Sequence, residues 1–139
     1  MSERKLIKLD LCLPCLEDWF SVLFPQVKPD MVDHYIAGIV EQRFQIWCME
    51  PHGFLILEFY DEADGNRVLF VHEIRGSRIL TKICLAYLEA LAISESCHEI
   101  ACKYVSEPVR RIHLMLGFME HADNTMRKAV PDGQFQFVG

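Results

Sequence analysis

Nothing in this 139-residue chain approaches the roughly 18 consecutive apolar residues that a bilayer-spanning helix needs. The charged opening MSERKLIKLDLCLPC also lacks the uninterrupted apolar stretch of a secretion signal, so a soluble protein of cytosolic origin is expected. Basic residues are in short supply: 14 Lys and Arg stand against 20 Asp and Glu, for a net charge of −6. Their only local concentrations are Arg75/Arg78/Lys82 and Arg110/Arg111. That argues against the broad cationic face on which nucleic acid is held; clusters of this size can hold one anionic ligand, and a solvated face is their ordinary role. Internal repeats, low-complexity runs and Pro/Gly/Ser-rich linkers are absent as well. One domain spanning residues 1–139 is expected, with 51% hydrophobic residues to build a single core.

Cysteine is present six times, at 12, 15, 48, 84, 97 and 102, without the signal that would make a disulfide framework reasonable. Cys84, Cys97 and Cys102 fall inside apolar patterns, where the reduced side chain serves as a small hydrophobe. Cys12 and Cys15 form a Cys-x-x-Cys between a strand and a helix, the place of a thiol-disulfide motif. Against that function, no strand separates the next two helices, and the long later helix is followed by a further strand and helix. Zinc would need two more ligands, and Cys48 and His52 stand at no recognised spacing, so no metal site is expected.

The chain's periodicities give an element order. KLIKLDL reads as a strand, and Pro14 can open a helix through CLEDWFSVLF that Pro25 ends. A second helix is predicted from Asp30 to Gln42, with Met31, Tyr35, Ile39 and Val40 on one side. RFQIWCM, GFLILEFY and RVLFVHEI read as an antiparallel meander, the last two joined through Asp64-Gly65-Asn66. A long helix follows from about Arg78 to Ser94, with two apolar rows that bury it against more than one neighbour. CHEIACKYV alternates as a strand, and EPVRRIHLML forms a helix that Pro108 starts and Gly117 closes. The remainder supplies one or two terminal strands. Trp19, Phe20, Phe24 and Trp47 are assigned to the core.

The turn between RVLFVHEI and the long helix is a place where free backbone N–H groups can hold phosphate. It carries a single glycine, Gly76. From Arg67 to Phe118 the order of a meander strand, an Arg-Gly turn, a long helix, a strand, a short helix and the closing Leu116-Gly117-Phe118 resembles the GCN5-related N-acetyltransferase (GNAT) superfamily. The resemblance implies an α/β (α+β) fold with a mixed, mostly antiparallel sheet flanked by helices. It further implies that Val71, Arg75, Gly76, Ser77 and Arg78 would hold an acyl-CoA donor, and that Glu73, Glu58 or His72 would take the proton of an amine. His113 occupies the position where the family often has the tyrosine that protonates the departing thiolate; apart from that role, a helix surface is its ordinary place. The sequence departs from the pattern at Arg78 and Leu80, which stand where the family has small residues.

The ending DGQFQFVG is similar to that of small GNAT-like internal virion or morphogenesis proteins of short-tailed bacteriophages. That resemblance implies a catalytically degenerate protein of the virion or host cytoplasm. Such a protein would bind other phage structural or assembly proteins and would need no cofactor; Phe135 and Phe137, alternating in a terminal strand, read as half core and half interface, which leaves that strand open to self-association. The alternatives are an active acetyl-CoA-dependent N-acetyltransferase and a thiol-disulfide protein using Cys12 and Cys15.

Overall fold

A computed structural model describes residues 6–9, 13–23, 25, 27–49, 53–76, 82–103 and 106–131. The elements follow the predicted order: β1 (Leu6–Leu9), α1 (Leu13–Leu23), α2 (Pro29–Val40), β2 (Phe44–Met49), β3 (Gly53–Asp61), β4 (Arg67–Gly76), α3 (Lys82–Ser94), β5 (Glu99–Cys102), α4 (Glu107–Met115), β6 (Met119–Glu120) and β7 (Met126–Ala129). They build one seven-stranded sheet in the order β1-β2-β3-β4-β5-β7-β6. Every described pairing is antiparallel except β4 with β5, which α3 connects as a crossover. Among the described residues no helix is long and apolar enough to cross a membrane.

Period-two alternation divides the strands between two cores. Leu55, Leu57, Leu69, Val71, Ile100, Cys102 and Met126 pack with Cys84, Leu85 and Leu88 of α3 and with Phe118. On the other face Ile46, Ile56 and Phe44 pack with Leu16 and Phe20 of α1 and with Tyr35 and Ile36 of α2. Of the first predicted row of α3, Cys84 and Leu88 are buried against the sheet with Tyr87 and Leu91 packed beside them; of the second, Ala90 is exposed, and Ile79 and the Ile83 side chain lie outside the described residues. α2 stops short of the predicted Gln42: Glu41 N–H donates to the Ala37 carbonyl, Gln42 N–H to the Ile39 carbonyl, and Gln42 turns to φ 64°. α4 ends as Gly117 predicts, with φ 101°, Gly117 N–H on Leu114 and Phe118 N–H on His113. Of the predicted strand CHEIACKYV, β5 covers Glu99–Cys102; Cys97, His98 and Lys103 fall outside it, and Tyr104 and Val105 lie outside the described residues. Residues 132–139, including Phe135 and Phe137, lie outside the described residues, as does Phe24.

The β6–β7 turn is fastened by a polar knot. Asp123 Oδ1 accepts from the Thr125 hydroxyl at 2.5 Å and from Thr125 N–H at 3.1 Å, and Arg127 reaches Asp123 at 3.0 Å. These bonds, the Thr125 hydroxyl first, hold the Asp123 carboxyl down at about 2, against an ordinary 3.8. A depressed carboxyl contributes stability that is complete above its unfolded value and is lost as pH falls through its folded value. Thr125→Val should therefore raise the Asp123 midpoint, read by carbon NMR, and flatten the acid limb of the stability curve between 3.8 and about 2. A midpoint unmoved from about 2 would contradict this account of the turn.

Candidate active site

The register of β3 against β4 shifts at one point. Leu57 pairs with Val71 and Ile56 with Glu73, so His72 is an extra residue on β4. Strict alternation would point Glu73 into the α3-side core with Leu69 and Val71. The bulge instead turns both His72 and Glu73 toward α2. A carboxylate in the apolar phase of VLFVHEI is the one sequence signal that points to such a shift, and the reading of RVLFVHEI as a regular meander strand misses it.

Three elements converge there. His72 Nε2 lies 2.8 Å from Glu58 Oε1 of β3. The imidazole packs against Phe70 at 4.6 Å, Phe44 at 4.7 Å and Tyr35 at 5.9 Å between ring centroids. Tyr35, from α2, donates its hydroxyl to Glu73 Oε1 at 3.0 Å. The structure thus brings together Glu58, His72 and Glu73, the three proton-acceptor candidates, and adds Tyr35, which the sequence reading assigned only to a helix face. Burial pushes the Glu73 carboxyl up, with the Tyr35 hydrogen bond opposing it. Burial likewise raises Tyr35, as does the neighbouring Glu73 charge, so the phenol stays protonated and remains a donor. His72 is pushed down by burial, which outweighs the Glu58 hydrogen bond.

The bulge lies where β4 and β5 part company. Their described pairs run from Val68↔Glu99 to Val71↔Cys102, while β4 continues to Gly76 along β3. Among the described residues Val71 is therefore the last of β4 to pair with β5, and from Glu73 to Gly76 the β4 pairs are with β3 alone. Arg75 and Gly76 end β4 opposite Phe54 and Gly53. Ser77, Arg78 and Leu80 lie outside the described residues, as does Cys12.

His113 does not take the helix-surface place. Its side chain is buried, 3% exposed, because α4 turns this position onto β5 and Phe118. Nδ1 is 3.7 Å from Cys102 Sγ, and Nε2 is buried without a hydrogen-bond partner among the described residues. Burial lowers the histidine and raises the Cys102 thiol to about 12, so both are neutral near pH 7. An unsatisfied buried group costs about 1–3 kcal/mol. His113→Leu should accordingly raise folding stability by about 1 kcal/mol in urea unfolding. A loss of the same size would mean that Nε2 is satisfied in solution.

Among the described residues no cluster of His, Cys, Asp and Glu could hold a metal ion. A separate groove of about 430 Å³ runs beside α3, lined by Lys82, Leu85, Ile93, Met115, Leu116 and Lys128 among others.

No protein-family model and no curated protein matches the sequence. Solved structures do match in shape. A mutant AtaT toxin bound to the C-terminus of the antitoxin AtaR and acetyl-CoA superposes with a TM-score of 0.61 at 12% identity, over 99% of this chain and 100% of that one. The NatB acetyltransferase complex bound to CoA and MES gives 0.61 at 18% identity, over 91% and 99%. A putative acetyltransferase of the GNAT family from Desulfovibrio desulfuricans gives 0.62 at 12% identity, over 92% and 99%. At these identities the agreement concerns architecture, and it extends over nearly the whole of each chain. Together with the seven-stranded sheet and its parting at Val71 and Cys102, it gives this chain the fold of the GCN5-related N-acetyltransferases.

Proposed function

We propose that this protein is an N-acyltransferase that uses acetyl-CoA as acyl donor and a primary amine as acceptor. The observation that carries the reading is the bulge at His72, which sets three proton-accepting side chains beside the gap between β4 and β5. Structural neighbours of this shape bind acetyl-CoA or CoA.

In the reaction, the amine lone pair forms the N–C bond to the thioester carbonyl carbon while the carbonyl π pair moves onto oxygen. Collapse of the tetrahedral species breaks the C–S bond, and the amine proton leaves to a base while the thiolate gains one. β4 backbone beyond Val71 would orient the carbonyl. Cys102, held as a thiol, is placed to donate to His113 Nδ1; Nε2 would then be an unpaired N–H, the polarity that a departing thiolate needs.

The test is incubation with acetyl-CoA and a panel of polyamines and peptides with free amines. Acetylated amine should appear in step with free CoA, both read by mass spectrometry. A chain that binds acetyl-CoA and acetylates no amine would overturn the reading.

A second reading has its own support in the sequence. Arg78 and Leu80 stand where small residues admit coenzyme phosphates, and the DGQFQFVG ending is similar to phage morphogenesis proteins. On that reading the coenzyme site has lapsed, and the protein works through contacts with phage assembly proteins in the virion or host cytoplasm, with self-association through its C-terminal segment. It predicts no acetyl-CoA binding.

A further inference from the structure

The site holds three groups able to accept a proton, and their surroundings are unequal. We propose that His72 is the catalytic base, that Glu58 is its positioning residue, and that Glu73 is a structural carboxylate tied to α2. This assignment rests on the acyltransferase reading above.

A carboxylate only accepts hydrogen bonds, so the 2.8 Å contact with Glu58 requires that His72 Nε2 carry the hydrogen. The ring's lone pair is then on Nδ1, which takes no hydrogen bond from any described residue. Phe44 and Phe70 at 4.7 and 4.6 Å fix the ring plane, yet the side chain keeps 20% of its surface in solvent, so an acceptor can reach it. Glu73 is situated differently: one of its oxygens is occupied by the Tyr35 hydroxyl. The titratable and charged groups facing His72 are Glu58 from β3, Glu73 beside it on β4, Tyr35 and His34 from α2, and Lys103 just after β5. Desolvation, His34 and Lys103 disfavour the charged ring, and Glu58 favours it. The balance leaves a neutral imidazole at neutral pH, the form that can accept a proton.

In the step itself, the attacking nitrogen gives its proton to Nδ1 as the N–C bond forms. The resulting imidazolium is held by Glu58 through Nε2–H, and the C–S bond breaks as CoA leaves. The proton is returned to solvent on the exposed side of the ring.

Nitrogen NMR of the imidazoles in the full chain tests the assignment without any turnover, the His72 signals being identified by their loss in His72→Gln. The expected result is the Nε2–H tautomer at neutral pH, a midpoint below the ordinary 6.5, and loss of the tautomer preference in Glu58→Gln. An Nδ1–H tautomer, or a ring still cationic at neutral pH, would overturn it.

In the amine acetylation assay, His72→Gln should lower kcat about 100-fold with the KM for acetyl-CoA within about twofold, the loss expected on removing a general base. Glu73→Gln should cost less than about tenfold. The reverse ranking assigns the base to Glu73 and overturns the proposal. Failure of acetyl-CoA to bind would remove the acyltransferase reading, and this assignment with it, even with the expected tautomer. The expected tautomer and normal acetyl-CoA binding with the reverse ranking would reject this assignment alone.

Discussion

Arg127→Ala is expected to cost about 3 kcal/mol of folding stability, the low end of the range for removing one member of a buried ion pair. The Arg127 side chain is 8% exposed and donates from Nη1 and Nη2 to both oxygens of Glu62 at 2.8 and 3.0 Å. It also reaches Glu99 at 3.3 Å and Asp123 at 3.0 Å. One guanidinium therefore joins β7 to the β3–β4 turn, the start of β5 and the β6–β7 turn. Without it three carboxylates face one another, and Asn66, which donates to Glu62 and Glu99, can satisfy them only in part. Glu62 and Glu99 keep 29% and 23% of their surface in water, which is why the low end applies. Urea unfolding measures the loss. A change below about 0.5 kcal/mol, typical of surface sites, would show that the knot is solvated and adds little.

Gly38→Ala should also destabilise, against the usual direction. In an exposed helix interior this change gains about 1 kcal/mol. Here an added Cβ would lie 2.2, 2.5 and 2.8 Å from three ring atoms of Phe44. That ring is 3% exposed and wedged among Tyr35, His34 and His72, so it has no free volume to move into. Overpacking of about 3 kcal/mol less the helix gain leaves a net loss of about 2 kcal/mol. The shift would be passed through Phe44 to the His72 ring, so stability and acyl transfer should fall together. A raised melting temperature in calorimetry would show that the α2–β2 contact is loose.

Element order was legible because each segment carries its own period: two in the strands, near 3.6 in α3, with Gly117 and Pro108 marking the bounds of α4. The GNAT-like resemblance added the expectation of a mixed sheet, and the parallel β4–β5 pair realises it. The site was legible in part. Glu58, His72 and Glu73 could be picked out as strand carboxylates and a histidine, but their meeting depends on a register shift of one residue and on Tyr35, which is 38 positions from Glu73. Arg127 was illegible as a knot because its main partner, Glu62, is 65 positions away and one basic residue in a short strand carries no sign of burial. His113 was placed by its spacing from Gly117, yet spacing alone could not say that its ring faces β5 and Cys102.

The central claim is that the gap between β4 and β5 still receives an acyl-CoA. Calorimetric titration of the purified chain with acetyl-CoA, with free CoA alongside, tests it most directly. Micromolar binding, about 8 kcal/mol, is the predicted result. No heat and no thermal shift at millimolar ligand would contradict the claim and leave a GNAT fold whose work lies in contacts with other proteins.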